Sequence, residues 1–250
     1  MRRYWIDPTC LTGDLVLIKG DVHHHIFDVC RQQVGSKFEV LTGDGKARLI
    51  EVTQVGKKEA TGRVIEDRPL PTLGQPRIHL ALCLPRLPVF EAVVEKSVEM
   101  GVASIQPLFS DFSFFRDPSS LSTTKLERWQ KIVRSAMQQS GRAEWLDLRP
   151  ARRLEEFFLE MNRKAGHRCL IAYEGDAPRS VRNQLSSWKP SPPSDVVIFV
   201  GGEGGFSLKE IGMFTQHGQA AVTLGPQVLR VETACMALVS VLKYEFDLMC

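Results

Sequence analysis

The sequence predicts a chain of two domains, a small all-β domain followed by an α/β domain whose sheet is largely parallel. Up to about residue 68 the chain consists of short apolar or alternating runs that are broken by Gly-Asp and Asp-Gly pairs. Residues 68–76, RPLPTLGQP, hold three prolines and one glycine in nine positions, which is typical of a linker. Strand-like and helix-like segments alternate after this point. We therefore expect a β domain over residues 1–70, a linker over 71–76 and an α/β domain over 77–250.

The first domain is expected to be a β-barrel built from strands in residues 14–20, 37–56 and 59–67. The sequence GDG at 43–45 divides the middle run, and its Asp-Gly pair can adopt the positive φ of a hairpin turn. Three consecutive histidines occupy positions 23–25. Because adjacent side chains on a strand point to opposite faces, we predict no metal site there.

Strands of the second domain are expected at residues 77–84, 102–109, 168–173, 195–200 and 220–225. One helix has Pro88 in its first turn and ends at Gly101. Another covers residues 124–141 and opens with a capping box of Thr124 and Glu127. This second helix is expected to bury one stripe, formed by Leu126, Trp129, Val133, Ala136 and Met137.

Two glycine-containing loops carry the strongest functional signal. The first, GGEGG at 201–205, follows a strand and precedes a helix whose capping box is Ser207 and Glu210. Its spacing differs from G-x-G-x-x-G and from the P-loop. A bare tight turn is one explanation, although four glycines exceed what a turn needs. The second loop lies in LGPQVLRVETACMAL, 224–238, and two such loops at strand ends form a crevice where open α/β sheets bind ligands.

These two loops resemble the last two cofactor-binding motifs of the SPOUT methyltransferases. The specific resemblance is to the bacterial 16S rRNA (uracil-N3)-methyltransferases, the ribosomal small-subunit methyltransferase E family. EKSVEMGVASIQPLFS at 95–110 and RWQKIVRSAMQQSGR at 128–142 resemble further motifs of that family. The β-rich N-terminus resembles its PUA-like RNA-binding domain. The motifs occur in the family's order, which makes the resemblance specific.

The resemblance implies a SPOUT-type α/β domain with a deep trefoil knot, preceded by a PUA-like β-barrel. It also implies a homodimeric enzyme that uses S-adenosylmethionine to methylate N3 of a uridine in 16S rRNA of the small ribosomal subunit. RNA contacts are assigned to Arg3 and Arg142. The cofactor is assigned to Tyr173, Gly201, Gly202, Glu203, Gly204, Leu224, Gly225, Val228, Leu229 and Ala234.

The chemistry requires that the imide proton of uridine N3 leave before, or as, nitrogen attacks the methyl group. We expect Arg230 to stabilise negative charge that develops on a uracil carbonyl. Glu232 is expected to accept the proton or to hold Arg230 in place, and an ion pair that caps the last helix is the alternative. No metal is required. The chain departs from the family pattern at Gly202, usually Pro, at Gln227, usually Arg, and around Arg86, where Lys-Gly-Asp is common.

Charge, cysteine content and hydrophobicity limit the other classes of protein to which the chain could belong. Residues 121–153 hold eight Lys or Arg against three acids, although the whole chain carries only +3, and this excess suits either phosphate backbones or a solvated helix face. The six cysteines form no C-x-x-C pair. No apolar run approaches ~20 residues and no signal peptide is evident, so we expect a cytoplasmic protein that does not insert into a membrane. The alternatives are a ribose 2′-O-methyltransferase, a dinucleotide- or phosphate-binding enzyme and a catalytically silent RNA-binding module.

Overall fold

The computed structural model describes residues 2–115, 117 and 120–249, which form two compact units. The first unit comprises the chain up to Thr72 together with Arg134–Trp145, and the second comprises Leu73–Val133 and the chain from Leu146 onward. The first change of unit, at Thr72, lies inside the predicted linker. The return of Arg134–Trp145 to the first unit was not predicted from the sequence.

The first unit contains a six-stranded sheet in the order β1-β4-β5-β6-β3-β2. All neighbouring strands are antiparallel except β1 and β4. Register shifts between Leu49 and Ile50 and between Val52 and Gln54 mark irregularities of the bulge type, which bend a sheet. With β1 and β2 at the two ends of the order, the described strands form a half-barrel. The strands are β1 Arg3–Trp5, β2 Leu11–Thr12, β3 Leu15–Lys19, β4 Lys37–Leu41, β5 Lys46–Val55 and β6 Glu59–Pro69.

The three consecutive histidines lie in a helical segment, so the strand assumed for them was wrong. Gly20, with a φ of +68°, ends β3 and opens helix α1, Gly20–His23, which continues as a π-helical turn over His24–Val29. The buried His23 ring contacts the Gly56 carbonyl at 3.1 Å. Within the described part of the chain, no group of three or more His, Cys, Asp or Glu residues could hold a metal ion.

The second unit is an α/β layer with an eight-stranded, wholly parallel sheet, which confirms the predicted fold class. The strand order is β10-β8-β7-β13-β11-β14-β12, and β9 also pairs with β8. The trefoil knot stays a prediction. The strands are β7 Arg77–Cys83, β8 Ser104–Phe109, β9 Asp147–Leu148, β10 Arg152–Arg153, β11 His167–Ala172, β12 Arg179–Ser180, β13 Asp195–Val200 and β14 Ala221–Thr223. The helices that follow β7 in the chain are α2 Leu87–Glu99, α3 Thr123–Ser140, α4 Leu154–Arg163, α5 Val181–Ser186, α6 Leu208–Gln216 and α7 Val231–Glu245. The part of α3 from Arg134 onward belongs to the first unit. None of the described helices is long and apolar enough to cross a membrane.

Local helix signals were only partly predictive. The capping box of α6 is present, with Ser207 and Glu210 each bonding the other's backbone N–H. Helix α3 instead begins at Thr123, because the Ser122 carbonyl accepts from the N–H groups of Lys125 and Leu126. Thr124 therefore lies within the first turn, and the predicted box with Glu127 was wrong. Of the predicted α3 stripe, only Leu126 is exposed.

The strand order brings together four strand ends that are distant in the chain. Strand β13 lies between β7 and β11, although it follows both in the sequence. Because all strands are parallel, the carboxyl ends of β7, β13, β11 and β14 face the same side. At the amino ends, His79 contacts the Ser104 hydroxyl at 2.7 Å and the Asp195 carboxylate at 2.9 Å, and burial lowers the pKa of His79. These two contacts link β7 to β8 and to β13.

Candidate functional site

A cavity of about 500 Å³ lies at the carboxyl ends of β7, β11, β13 and β14. This volume falls within the ~300–1,000 Å³ common for small-molecule sites. Four chain segments line it, and they begin at Arg86, Ala172, Val200 and Thr223. All the residues predicted to bind cofactor or to act in catalysis line this cavity, except Gly204. The two glycine loops therefore meet at one cavity.

The first glycine loop closes on itself. A Cβ at Gly201 would lie 2.7 Å from backbone atoms of Gly205, and the Gly205 N–H donates to the Gly202 carbonyl at 3.0 Å. Gly205 has a φ of +68°, which side chains rarely allow. A Cβ at Gly202 would lie 3.6 Å from the nearest atom, the Cys83 carbonyl oxygen, which is an ordinary van der Waals distance. Gly201 and Gly205 are thus required by the turn itself, whereas a Cβ at Gly202 would fit in ordinary contact with backbone carbonyl oxygens.

Gly204 has a different role from the one predicted. It does not line the cavity, and a Cβ there would lie 2.9 Å from the Cβ of Phe112. The absence of a side chain at Gly204 allows Phe112 to approach the glycine loop closely. The sequence could not indicate this contact, because Phe112 is about ninety positions away.

Three carboxylates and two guanidinium groups surround the cavity. Glu203 accepts a hydrogen bond from the Arg86 N–H at 3.0 Å, which ties the glycine loop to the start of α2. Glu174, at the end of β11, lies against Gly205. Glu232 lies in the first turn of α7, two residues after Arg230 at the N-cap. This arrangement provides acidic groups for a cation and basic groups for an anion at one opening.

Arg230 and Glu232 do not form the ion pair that was the alternative explanation. Arg230 is exposed, has extended backbone angles at the N-cap and makes no side-chain capping bond. Its carbonyl accepts from the Ala234 N–H at 2.8 Å, which anchors the backbone of this position. Among the described residues, neither side chain has an ion-pair or hydrogen-bond partner. Both remain available to groups that enter the cavity.

Cysteine chemistry is disfavoured at the cavity. Cys83 lies at the end of β7 and Cys235 in α7, and both are fully buried. Burial raises the pKa of each thiol to about 12, so neither is a thiolate at neutral pH.

Sequence reasoning did not assign several cavity residues. Glu174 follows the strand end at Ala172, and the sequence AYEG there is a third glycine-containing strand end that could have suggested it. Arg86 was noted only as a departure from the family pattern. Gln227 was likewise noted only as a departure from that pattern. Val89 and Thr223 carry no distinguishing local signal, because strand order decides which loops meet.

The two predicted RNA contacts both lie in the first unit. Arg3 donates from Nε to Glu39 at 2.7 Å, and the buried Glu39 also binds Arg68. These guanidinium groups, Arg68 foremost, hold the pKa of Glu39 below its usual range. Arg142 is buried and donates from Nε to the Glu144 carbonyl. Arg142 was predicted to contact a phosphate or a base of the RNA, and that contact stays a prediction for a side chain that is mostly buried.

Ion pairs neutralise part of the positive charge in residues 121–153. Arg128 pairs with Glu91, Arg149 with Asp147, and Arg152 with Glu160. Exposed basic side chains without such a pair among the described residues are those of Lys131, Arg134 and Arg153. The free positive charge is therefore smaller than the sequence count suggests.

The parallel sheet and the cavity at its strand ends define an α/β protein with a small-molecule site. A family model of an RNA methyltransferase domain matches residues 73–243, and one of an RNA methyltransferase PUA domain matches residues 18–65. The chain belongs to this RNA methyltransferase family. The resemblance to ribosomal small-subunit methyltransferase E is confirmed by the relatives that follow.

The relatives carry one name, Ribosomal RNA small subunit methyltransferase E. That of Synechocystis sp. (strain ATCC 27184 / PCC 6803 / Kazusa) is 30% identical over 84% of this chain and 67% of its own length. That of Bacillus subtilis (strain 168) is 28% identical over 100% of this chain and 98% of its own. A crystal structure of the Neisseria gonorrhoeae protein, bound to S-adenosyl methionine, has a TM-score of 0.82 and 26% identity. The alignment covers 98% of this chain and 97% of the Neisseria gonorrhoeae chain.

Proposed function

We propose that this protein transfers a methyl group from S-adenosylmethionine to N3 of a uridine in 16S rRNA of the small ribosomal subunit. The observation that carries the proposal is the cavity in which both glycine loops meet the two unpaired side chains Arg230 and Glu232. The family membership and the names of the relatives support the same activity. We place this activity in the cytoplasm, where ribosomal subunits are accessible.

The cavity suits S-adenosylmethionine in size and charge. Gly201 and Gly202 line the cavity without side chains, so an adenine or ribose can lie against main chain there. Leu229 and Ala234 supply apolar surface. The cofactor's sulfonium and ammonium groups are positive, and the carboxylates of Glu174, Glu203 and Glu232 surround the same space.

Each remaining step falls to side chains of this chain. When bound, the cofactor supplies an electrophilic methyl group. Arg230 holds the uracil by a carbonyl oxygen and stabilises the charge that appears there as N3 loses its proton. Glu232 accepts that proton or orients Arg230. Because neither group is held by a protein partner, both can reorient toward the substrate.

The same proposal includes the RNA contacts and the assembly. Arg3 keeps part of its side chain exposed and, with exposed Arg134, offers positive charge in the first unit. Helix α7 exposes Val241 and Tyr244, the latter at 77%, and this apolar face suits contact with a second copy of the chain. The trefoil knot implied by the resemblance belongs to the proposal as well.

The test is to incubate the protein with labelled S-adenosylmethionine and small subunits that lack the modification. Digestion to nucleosides and mass fragmentation should place the new methyl group on the uracil base at N3. A methyl group on ribose would favour the 2′-O-methyltransferase. RNA binding without transfer would favour the silent module, and binding of ATP or NAD in calorimetry would favour the dinucleotide enzyme.

A further inference from the structure

The loop Ser110–Phe115, called the Phe loop below, presents two exposed aromatic side chains. The chain has thirteen phenylalanines, and among those that the structure describes only Phe112 and Phe114 are more than half exposed, at 53% and 60%. Phe115, next in the chain, is buried and contacts Phe114 edge to face. Two exposed rings within three residues of one loop forgo the stabilisation that burial gives, so their position requires an explanation outside the core.

The Phe loop is held rigidly by buried polar groups. The buried Ser113 hydroxyl accepts from the Ser110 N–H at 2.9 Å. The buried Glu210 carboxylate accepts from the Asp111 N–H at 2.9 Å, and Ser207 donates to Asp111 at 2.6 Å. Because these bonds fix the backbone, the two rings are presented in a preorganised position.

The Phe loop also lies beside the cavity. Phe112 packs against Gly204, whose neighbours in the glycine loop line the cavity wall. The Phe114 N–H donates to the Leu84 carbonyl at 3.0 Å, two residues before Arg86 at the cavity. The Arg86 side chain is exposed and, among the described residues, has no ion-pair or hydrogen-bond partner.

Exposed aromatic rings beside an unpaired cation match the chemistry of single-stranded nucleic acid, whose bases stack and whose phosphates carry charge. We propose that the Phe loop is a stacking platform for unpaired bases next to the target uridine, and that Arg86 contacts an adjoining phosphate. This inference rests on the proposed function, because it takes RNA as the substrate. It also gives Gly204 a purpose, since only glycine admits Phe112 so close to the glycine loop.

The test compares Phe112→Ala, Phe112→Leu and Phe112→Tyr with the wild type. Affinity is measured for small subunits that lack the modification, and separately for S-adenosylhomocysteine by calorimetry. Loss of one stacked base should weaken subunit binding about 5- to 150-fold in Phe112→Ala and Phe112→Leu. Phe112→Tyr should keep the affinity, because it keeps an aromatic face. Binding of S-adenosylhomocysteine should be unchanged in all three, which also shows that they fold.

Each of the following results would overturn the inference. Wild-type subunit affinity in Phe112→Leu would refute stacking, because leucine keeps only an apolar contact. Dissociation of a dimer by Phe112→Ala in sedimentation would make the Phe loop a subunit interface. If the wild type neither binds nor methylates subunits, the proposed function is refuted as well. If the wild type methylates subunits and the Phe112 variants bind them with unchanged affinity, only the stacking platform is refuted.

Discussion

Replacing Arg230 with Ala should impair methyl transfer while leaving the protein folded. The Arg230 side chain is exposed, makes no capping bond and has no partner among the described residues. Its removal should therefore change the free energy of unfolding by no more than about 0.5 kcal/mol, as for other surface substitutions. The Arg230 carbonyl, which anchors α7, is unaffected by the substitution.

The activation free energy of methyl transfer should change much more than the free energy of unfolding. Loss of one donor that hydrogen-bonds a developing oxyanion in the assembled complex costs about 10²- to 10³-fold in rate, or ~2.7–4 kcal/mol. Arg230→Lys should recover part of this loss, since it keeps the charge but not the planar, bidentate geometry. Affinity for S-adenosylhomocysteine should be largely kept, because main chain and apolar side chains form much of the cavity wall.

The assay is single-turnover methylation of small subunits at saturating cofactor and RNA. Arg153→Ala is a matched control, because Arg153 is also an exposed N-cap arginine without a side-chain capping bond but does not line the cavity. Near-normal turnover in Arg230→Ala would refute the catalytic assignment. An equal loss in Arg153→Ala would show that the effect is not specific to the cavity.

Three further predictions concern the cavity and the sheet. If Glu232 is the base, Glu232→Gln should flatten the rise of the single-turnover rate with pH. An unchanged pH profile would show that Glu232 is not the base and would assign it the role of orienting Arg230. Gly201→Ala should weaken S-adenosylhomocysteine binding in calorimetry more than Gly202→Ala, because only the former places a Cβ 2.7 Å from loop backbone; equal affinities would contradict this. Because burial lowers the pKa of His79, the folded state favours its neutral form. The free energy of unfolding, measured in urea, should therefore fall as the pH drops below about 6.5, and His79→Gln should reduce that pH dependence. An identical pH dependence in the variant would show that His79 does not contribute.

The sequence was sufficient to predict those elements whose formation depends on residues close together in the chain. Continuous apolar runs such as 195–200 predict buried parallel strands, because both faces of such a strand are covered. The box of Ser207 and Glu210 predicts a helix start, because both bonds form within four residues. The similar box at Thr124 failed, since Ser122 accepted the first helical bonds instead.

What the sequence alone determined about this protein is its order of elements, its parallel α/β class and the two glycine loops that feed helices. These follow from periodicity and from backbone chemistry, which act over a few residues. Only the tertiary structure decided that β13 lies between β7 and β11, that Gly204 contacts Phe112 and that Arg142 is buried. The strand order and the contact of Gly204 with Phe112 join segments far apart in the chain, and the burial of Arg142 depends on what packs around it. No local preference specifies which distant surface a strand, glycine or arginine will meet.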